Sequence, residues 1–204
     1  MAAYTKQYFN NIWGKGYIEP FVGYDINLNQ LYEKLIQPFI NDDHIALEIG
    51  CGGGIWTNLM IDKFKEVIAL DVISRPSTLN TKIKFYELND QDYKCSNVLD
   101  NSVDFVFSFG VFCHLPVSAQ FEYVENILRV LKTGGNAVVM FADWETHPTP
   151  LNKGQYEYKE TVSNMGWFYM DTDIIKEIMD KNNISEYENI MPTFRDRIIH
   201  FCKK

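Results

Sequence analysis

The sequence predicts a three-layer α/β fold on a seven-stranded, mostly parallel sheet with an antiparallel last strand. Three observations carry this. From residue 45 to 142, short β-rich runs alternate with helical ones, the order of parallel βαβ units. The first unit, ALEIGCGGGIWT over Ala46–Thr57, passes from an apolar run through Gly50, Gly52, Gly53 and Gly54 into a helical pattern. The last two β-rich runs follow each other with no helix between them, and a parallel pair would need a longer crossover.

Each element has its own signal. In residues 28 to 40, Leu28, Leu31, Leu35, Ile36 and Phe39 recur at threes and fours, the spacing of one buried helix face. Strand one is read over Ile45–Gly50 and a helix over Ile55–Phe64. Strand two is Glu66–Val72 (EVIALDV), strand three Lys82–Leu88 and strand four Val103–Phe109. Between the last two lies a polar loop with Asp90, Asp92, Asn97 and Asn101. Ser118 is placed to cap a helix whose apolar face is Phe121, Val124, Leu128 and Leu131, stopped by KTGG at 132–135. Asn136–Ala142 is strand five, and its unbroken apolarity says that both of its faces are covered. Thr172 is placed to cap a helix carrying Ile174, Ile175, Ile178 and Met179, ended by Asn182-Asn183. Strands over Ile184–Ile190 and Arg197–Lys203 close the pattern.

Two segments stand outside the alternation. Residues 1–44 form an N-terminal aromatic cap and helix, with residues 45–204 as the core of a single domain. Seven aromatics, from Tyr4 to Tyr24, are interrupted by Gly14, Gly16, Pro20 and Gly23. They read as packing onto the domain, or as a flap that brings Trp13 and Tyr17 to a ligand. Residues 143–170, with Pro148, Pro150, Gly154 and Gly166, read as a long loop walling a site.

Composition narrows the function classes. With 46% hydrophobic and 23% charged residues the chain is of the soluble globular kind, and no apolar run nears the roughly 18 residues of a membrane span. A net charge of −8 without a basic patch argues against nucleic acid as partner. The start, MAAYTKQYFN, does not read as a signal peptide. The four cysteines, Cys51, Cys95, Cys113 and Cys202, form no CxxC pair. That disfavours a zinc site or redox dithiol and points to a cytoplasmic protein with reduced thiols. No metal is expected.

The chemistry centres on the glycine turn. A dinucleotide fingerprint would carry a third glycine where Ile55 stands, so a nicotinamide enzyme is disfavoured. Glu48 lies just before the turn. Asp71, twenty-one residues after Gly50 at the end of strand two, is placed to accept hydrogen bonds from ribose hydroxyls.

These residues resemble the class I S-adenosylmethionine-dependent methyltransferases. The likeness rests on LEIGCGGG, the acid in ALDV, LNDQD after strand three, SVDFVFSFGVFCHL around strand four and LRVLKTGG before strand five. In order and spacing these cover residues 45–142, with KTGG standing for the more frequent KPGG. The resemblance implies the Rossmann-like methyltransferase sandwich, S-adenosyl-L-methionine as cofactor and S-adenosyl-L-homocysteine as product. It implies that Gly50, Cys51 and Gly52 line the methionine end by backbone, with Glu48 behind them holding the loop or meeting the amino group. Asp71 would bind the ribose and Val72 flank the adenine. Asp90, or alternatively Asp92, would read the adenine edge with Gln91, while Ser108 and Phe109 touch the methionine portion.

The implied reaction is in-line methyl transfer to an oxygen or nitrogen of a small-molecule acceptor, with no nucleic acid or membrane as partner. His114, just past strand four, is the candidate base, read equally well as a structural histidine lining the pocket. Asp143, His147, Tyr156 and Arg195, on loops facing the same strand ends, are weaker candidates for the base, and Trp13, Tyr17, Asp143, His147 and Arg195 are candidate acceptor contacts. Trp56 and Trp144 are read as packing residues. A non-catalytic S-adenosylmethionine-binding partner protein is the alternative, against which the intact cofactor motifs weigh.

Overall fold

The computed structural model describes residues 28–143, 170–190 and 196–204. Among them a seven-stranded sheet runs in the order β3-β2-β1-β4-β5-β7-β6. Its strands are β1 (Ile45–Ile49), β2 (Glu66–Asp71), β3 (Lys84–Glu87), β4 (Val103–Ser108), β5 (Leu131–Ala142), β6 (Tyr187–Asn189) and β7 (Asp196–Cys202). β1 pairs in parallel with β2 and β4, β2 with β3, and β4 with β5. β7 lies antiparallel to both β5 and β6. The predicted fold class and the antiparallel last strand are both present.

Four helices are described: α1 (Leu28–Leu35), α2 (Ile55–Met60), α3 (Val117–Val130) and α4 (Thr172–Lys181). The central strands are apolar on both faces, and two buried clusters result. Leu47, Ile49, Val106, Val139 and Phe141 point one way, toward Val124 and Ile127 of α3 and Ile175 and Ile178 of α4. Ala46, Phe105, Phe107, Val138 and Met140 point the other way, toward Leu31 and Leu35 of α1 and Trp56 and Met60 of α2. Adjacent residues alternate between the clusters, as the two-residue period of a strand requires. Trp56 is packed against Phe107 and Phe109, with ring centroids 5.3 and 5.2 Å away, in keeping with its reading as a packing residue.

Several local expectations are corrected. The first helix stops at Leu35, and Gln37–Phe39 forms a separate 3-10 turn, because Pro38 has no N–H to continue an α-helix. The helix after the glycine turn ends at Met60 rather than Phe64. Pro116, not Ser118, occupies the N-cap of α3, with Ser118 exposed in its first turn. The buried face of α3 is Gln120, Tyr123, Val124, Ile127 and Val130; Phe121 and Leu128 sit at its margin. That helix ends at Val130, before KTGG, where Leu131 already turns extended and donates to Ile127 O. β5 therefore begins at Leu131 and takes in KTGG, rather than starting at Asn136. Asp171, not Thr172, caps α4: its carboxylate accepts from Ile174 N at 2.8 Å. β1, β2, β3, β4 and β6 are each shorter than the strands read from sequence, and β7 lies one residue earlier.

Candidate functional site

The order of the sheet locates the site. From β1 the chain proceeds to one side through β2 and β3, and from β4 to the other side through β5. Between β1 and β4 lies the point where connections diverge, and there open α/β sheets bind ligands beyond the carboxyl ends of their strands. The glycine turn leaves β1 and the Gly110 turn leaves β4 at this point.

Gly50 and Gly54 serve packing. Gly50 has φ +76°, and a Cβ on it would come within 2.1 Å of Val111 Cγ2, so the turns after β1 and β4 meet without room for a methyl. Gly54, at φ +83° and N-cap of α2, would place a Cβ 2.8 Å from Leu79. Gly52 and Gly110, also left-handed, face open space, with nothing within 4 Å of a would-be Cβ. The first pair closes the scaffold, and the second leaves free space beside the backbone.

Acidic groups support this turn from behind. Glu48, in the middle of the sheet and 1% exposed, accepts a hydrogen bond from the Thr57 hydroxyl of α2. Burial lifts its carboxyl to about 8; the Thr57 bond opposes the rise and the negative charge of Asp71 adds to it. Asp71 accepts from Gly52 N at 2.7 Å through Oδ2 and from Ile73 N at 3.1 Å through Oδ1. Its carboxyl is raised by burial and held back by the backbone N–H groups of Gly52, Ile73 and Val72. Burial, with Asp71 and Glu48 nearby, pushes the Cys51 thiol far up, so it is no nucleophile at neutral pH.

The other expected cofactor residues fall as follows. Val72 is half-buried against the core. Ser108, 1% exposed, donates to Ile49 O at 3.1 Å and ties the carboxyl ends of β4 and β1. Phe109 stands half-buried against Trp56. Asp90 and Gln91 are exposed beyond β3, Gln91 in the left-handed region at φ 62°. Asp92 is half-buried and accepts from Lys94 N and Ser96 Oγ through Oδ1.

His114 ends the 3-10 turn Phe112–His114 after β4, half-buried, four residues beyond Gly110. Asp143, at the end of β5, is wholly buried and ion-paired with Arg197 of β7. Trp13, Tyr17, His147 and Arg195 lie outside the described residues, as do Trp144, Tyr156 and nearly all of the 143–170 loop.

Sequence reasoning missed the braces of the glycine turn. Thr78 donates from its hydroxyl to Gly53 O at 2.6 Å, and Asn58 reaches back to Thr78 O at 3.0 Å. Leu79 and Val111 press on Gly54 and Gly50. These contacts join segments 20 or more residues apart, and no local pattern announces them. A separate cleft of about 310 Å³, lined by Leu128, Asn182, Ile184, Cys202 and Lys203 among others, lies at the opposite end of the sheet.

At the glycine turn stand two carboxyls raised by burial, Glu48 and Asp71, and a positive charge bound near them would favour their ionised forms and be favoured in turn.

Comparison with known proteins gives three results. A family model described as "Methyltransferase domain" matches residues 47–139, from within β1 to within β5. No curated protein matches the chain. Solved structures share the fold. Phosphoethanolamine N-methyltransferase 2 of Haemonchus contortus, in complex with phosphomonomethylethanolamine and S-adenosylhomocysteine, is 21% identical with a TM-score of 0.62, over 92% of this chain and 43% of that one. A SAM-dependent methyltransferase of Methanosarcina mazei is 15% identical, TM-score 0.61, over 82% and 96%. Geranyl diphosphate C-methyltransferase of Streptomyces coelicolor is 12% identical, TM-score 0.60, over 86% and 77%. The chain thus spans less than half the length of the first of these.

Proposed function

We propose that the chain is a class I S-adenosylmethionine-dependent methyltransferase, with S-adenosylmethionine as its cofactor, that methylates an oxygen or nitrogen of a small molecule; a methyltransferase-domain model over residues 47–139 and the fold shared with solved methyltransferases support this reading. The observation that carries this reading is the pair of unobstructed left-handed glycines, Gly52 and Gly110, at the β1/β4 switch point, with the buried carboxyls of Glu48 and Asp71 beside the first. When bound, the cofactor supplies a methyl group activated by its sulfonium.

The chain's residues divide the remaining work. Gly50, Cys51 and Gly52 present backbone to the methionine end, with Ser108 and Phe109 opposite. Glu48 answers the ammonium through the turn. The Asp71 carboxylate accepts from Gly52 N through Oδ2 and from Ile73 N through Oδ1 and retains lone-pair capacity for a ribose hydroxyl. Val72 flanks the adenine, and Asp90 with the N–H of Gln91 reads its edge. His114 takes the acceptor's proton, and Trp13, Tyr17, His147 and Arg195 contact the acceptor, while Asp143, wholly buried, is held in its ion pair with Arg197. Residues 1–44 act as a cap on the 45–204 core, which together make a single domain.

The acceptor is small because the chain's net charge of −8 repels nucleic acid. Among like folds one structure holds an amine acceptor and another acts on geranyl diphosphate at carbon, so the fold leaves the acceptor atom open. We favour oxygen or nitrogen because the site offers a histidine to take a proton. The cytoplasm is the proposed compartment, since all four cysteines are free thiols. Among the described residues, no helix is long and apolar enough to cross a membrane.

Calorimetric titration with S-adenosylmethionine, followed by donor turnover on a panel of amines and hydroxyl compounds, tests the reading. Binding with turnover on at least one acceptor is expected; binding without turnover on any would make the chain a cofactor-binding partner protein instead. Asp71→Ala should weaken cofactor binding by about 1–3 kcal/mol, and unchanged affinity would refute the ribose contact. His114→Ala should lower turnover by roughly 10²–10⁴ with cofactor affinity kept. Loss of both together would mark His114 as structural.

A further inference from the structure

The stretch from Leu88 to Ser102 runs from the edge strand β3 back to the central strand β4 without helix or strand, yet it is not loosely held. Gln91, Cys95 and Asn101 are all left-handed, at φ 62°, 49° and 49°. Gln and Cys adopt that region at a cost that surrounding structure must meet. Bonds within the loop, from Lys94 N and Ser96 Oγ to Asp92 Oδ1 and from Val98 N to Cys95 O, and one from Lys203 Nζ to Asn101 Oδ1 at 2.6 Å contribute to holding it, and a further set comes from one helix.

Arg129, in the last turn of α3, donates through Nη2 to Lys94 O at 2.6 Å and Cys95 O at 3.2 Å, and through Nη1 to Val98 O at 3.2 Å. The same Nη1 is ion-paired with Asp100, and Nε donates to Asn126 Oδ1 at 3.1 Å. Nearly two turns earlier, the Tyr123 hydroxyl donates to Asp92 O at 3.3 Å, and its ring packs edge-on to Tyr93 at 5.4 Å. The loop's exit is tied to the same helix end, by Asn101 N to Arg129 O at 3.0 Å and Ser102 N to Val130 O at 2.9 Å. A guanidinium can address several carbonyls in one plane; an ammonium on a lysine stem cannot.

We propose that Arg129 and Tyr123 are positioning residues for adenine recognition: they fix the 90–101 loop so that Asp90 and Gln91 present a set geometry to the base. This rests on the reading that Asp90 and Gln91 meet the adenine. It assigns α3 a role at both ends of the cofactor, since its N-terminus follows the Gly110 and His114 turns.

The test measures calorimetric affinities of the full chain for S-adenosylhomocysteine and S-inosylhomocysteine, whose 6-oxo group replaces the 6-amino group. Wild type, Arg129→Lys and Tyr123→Phe are compared, each with a thermal melt. Wild type should prefer the adenosyl ligand by about tenfold or more, and each variant should lose about fivefold of that preference while holding the inosyl ligand within about twofold. Equal weakening of both ligands would make the brace merely structural and overturn the proposal, as would an unchanged preference. If Arg129→Lys does not fold, Tyr123→Phe decides, because it removes one hydroxyl and keeps the ring. A wild type that binds both ligands equally would refute the adenine contact of Asp90 and Gln91 itself, and the proposal with it. Failure to bind either ligand would refute the cofactor reading.

Discussion

Gly50→Ala is expected to be strongly destabilising. Alanine there must hold φ near +76° and place its methyl 2.1 Å from Val111 Cγ2, inside any van der Waals contact. Left-handed strain costs on the order of 1–3 kcal/mol, and overpacking a similar amount, so a loss of about 2–5 kcal/mol is anticipated. For a domain of this size that lowers the melting temperature by roughly 5–15 °C. Because Gly50 N also donates to Leu70 O at 2.7 Å, the displaced turn should carry Cys51 and Gly52 with it and weaken cofactor binding at least tenfold. Adding Val111→Ala should restore the packing part and leave the backbone strain. A double variant no more stable than Gly50→Ala would show that Val111 does not set the limit.

The second large effect is a dependence of stability on pH governed by Glu48. Its carboxyl rises from an ordinary 4.5 to about 8 because burial disfavours the charged form. The folded state therefore binds this proton more tightly than the unfolded chain. The resulting stabilisation is complete below about 4.5 and is lost as pH rises through about 8. Denaturant midpoints should fall by an amount equivalent to a few kcal/mol across that window. Glu48→Gln, which mimics the protonated acid and keeps an oxygen for the Thr57 hydroxyl, should flatten most of the slope. A remainder belongs to Asp71, whose carboxyl moves in the same direction. A variant as pH-dependent as the wild type would mean that Glu48 is already ionised at neutral pH.

What is legible in the sequence follows from the range of the forces involved. β1, β2, β4 and β5 are readable because strands covered on both faces must be apolar throughout, and ALEI, VIAL, VDFVFS and AVVMFA are nearly so. The antiparallel pairing of β6 with β7 follows from the length of their connection, although the place of β7 between β5 and β6 does not. Caps differ from expectation by one or two residues: Asp171 precedes Thr172 and Pro116 precedes Ser118, and each neighbour is an acceptable cap in isolation. The face of α3 differs too, because Phe121 and Leu128 offer an apolar series as regular as the buried one.

The site is legible in part for the same reason. Gly50, Gly52, Glu48 and Asp71 come to one place because the turn after β1 and the end of β2 are adjacent in any parallel pair. Thr78, Leu79 and Val111 are invisible, because their contact with the turn depends on how two other loops fold back over it. Arg129 lies within LRVLKTGG, yet its spacing discloses nothing of the loop it grips some 30 residues earlier.

The sheet ends on its two shortest strands, and this bears on association rather than catalysis. β3 has four residues and β6 three. The outer one displays Lys84 and Glu87 to solvent, and the other Tyr187 and Glu188. Exposed strand edges recruit other chains when they are long, flat and uncharged. Here each offers too few backbone groups, next to charges that any incoming strand would have to desolvate. Continuation of the sheet is thereby disfavoured at both edges seen among the described residues.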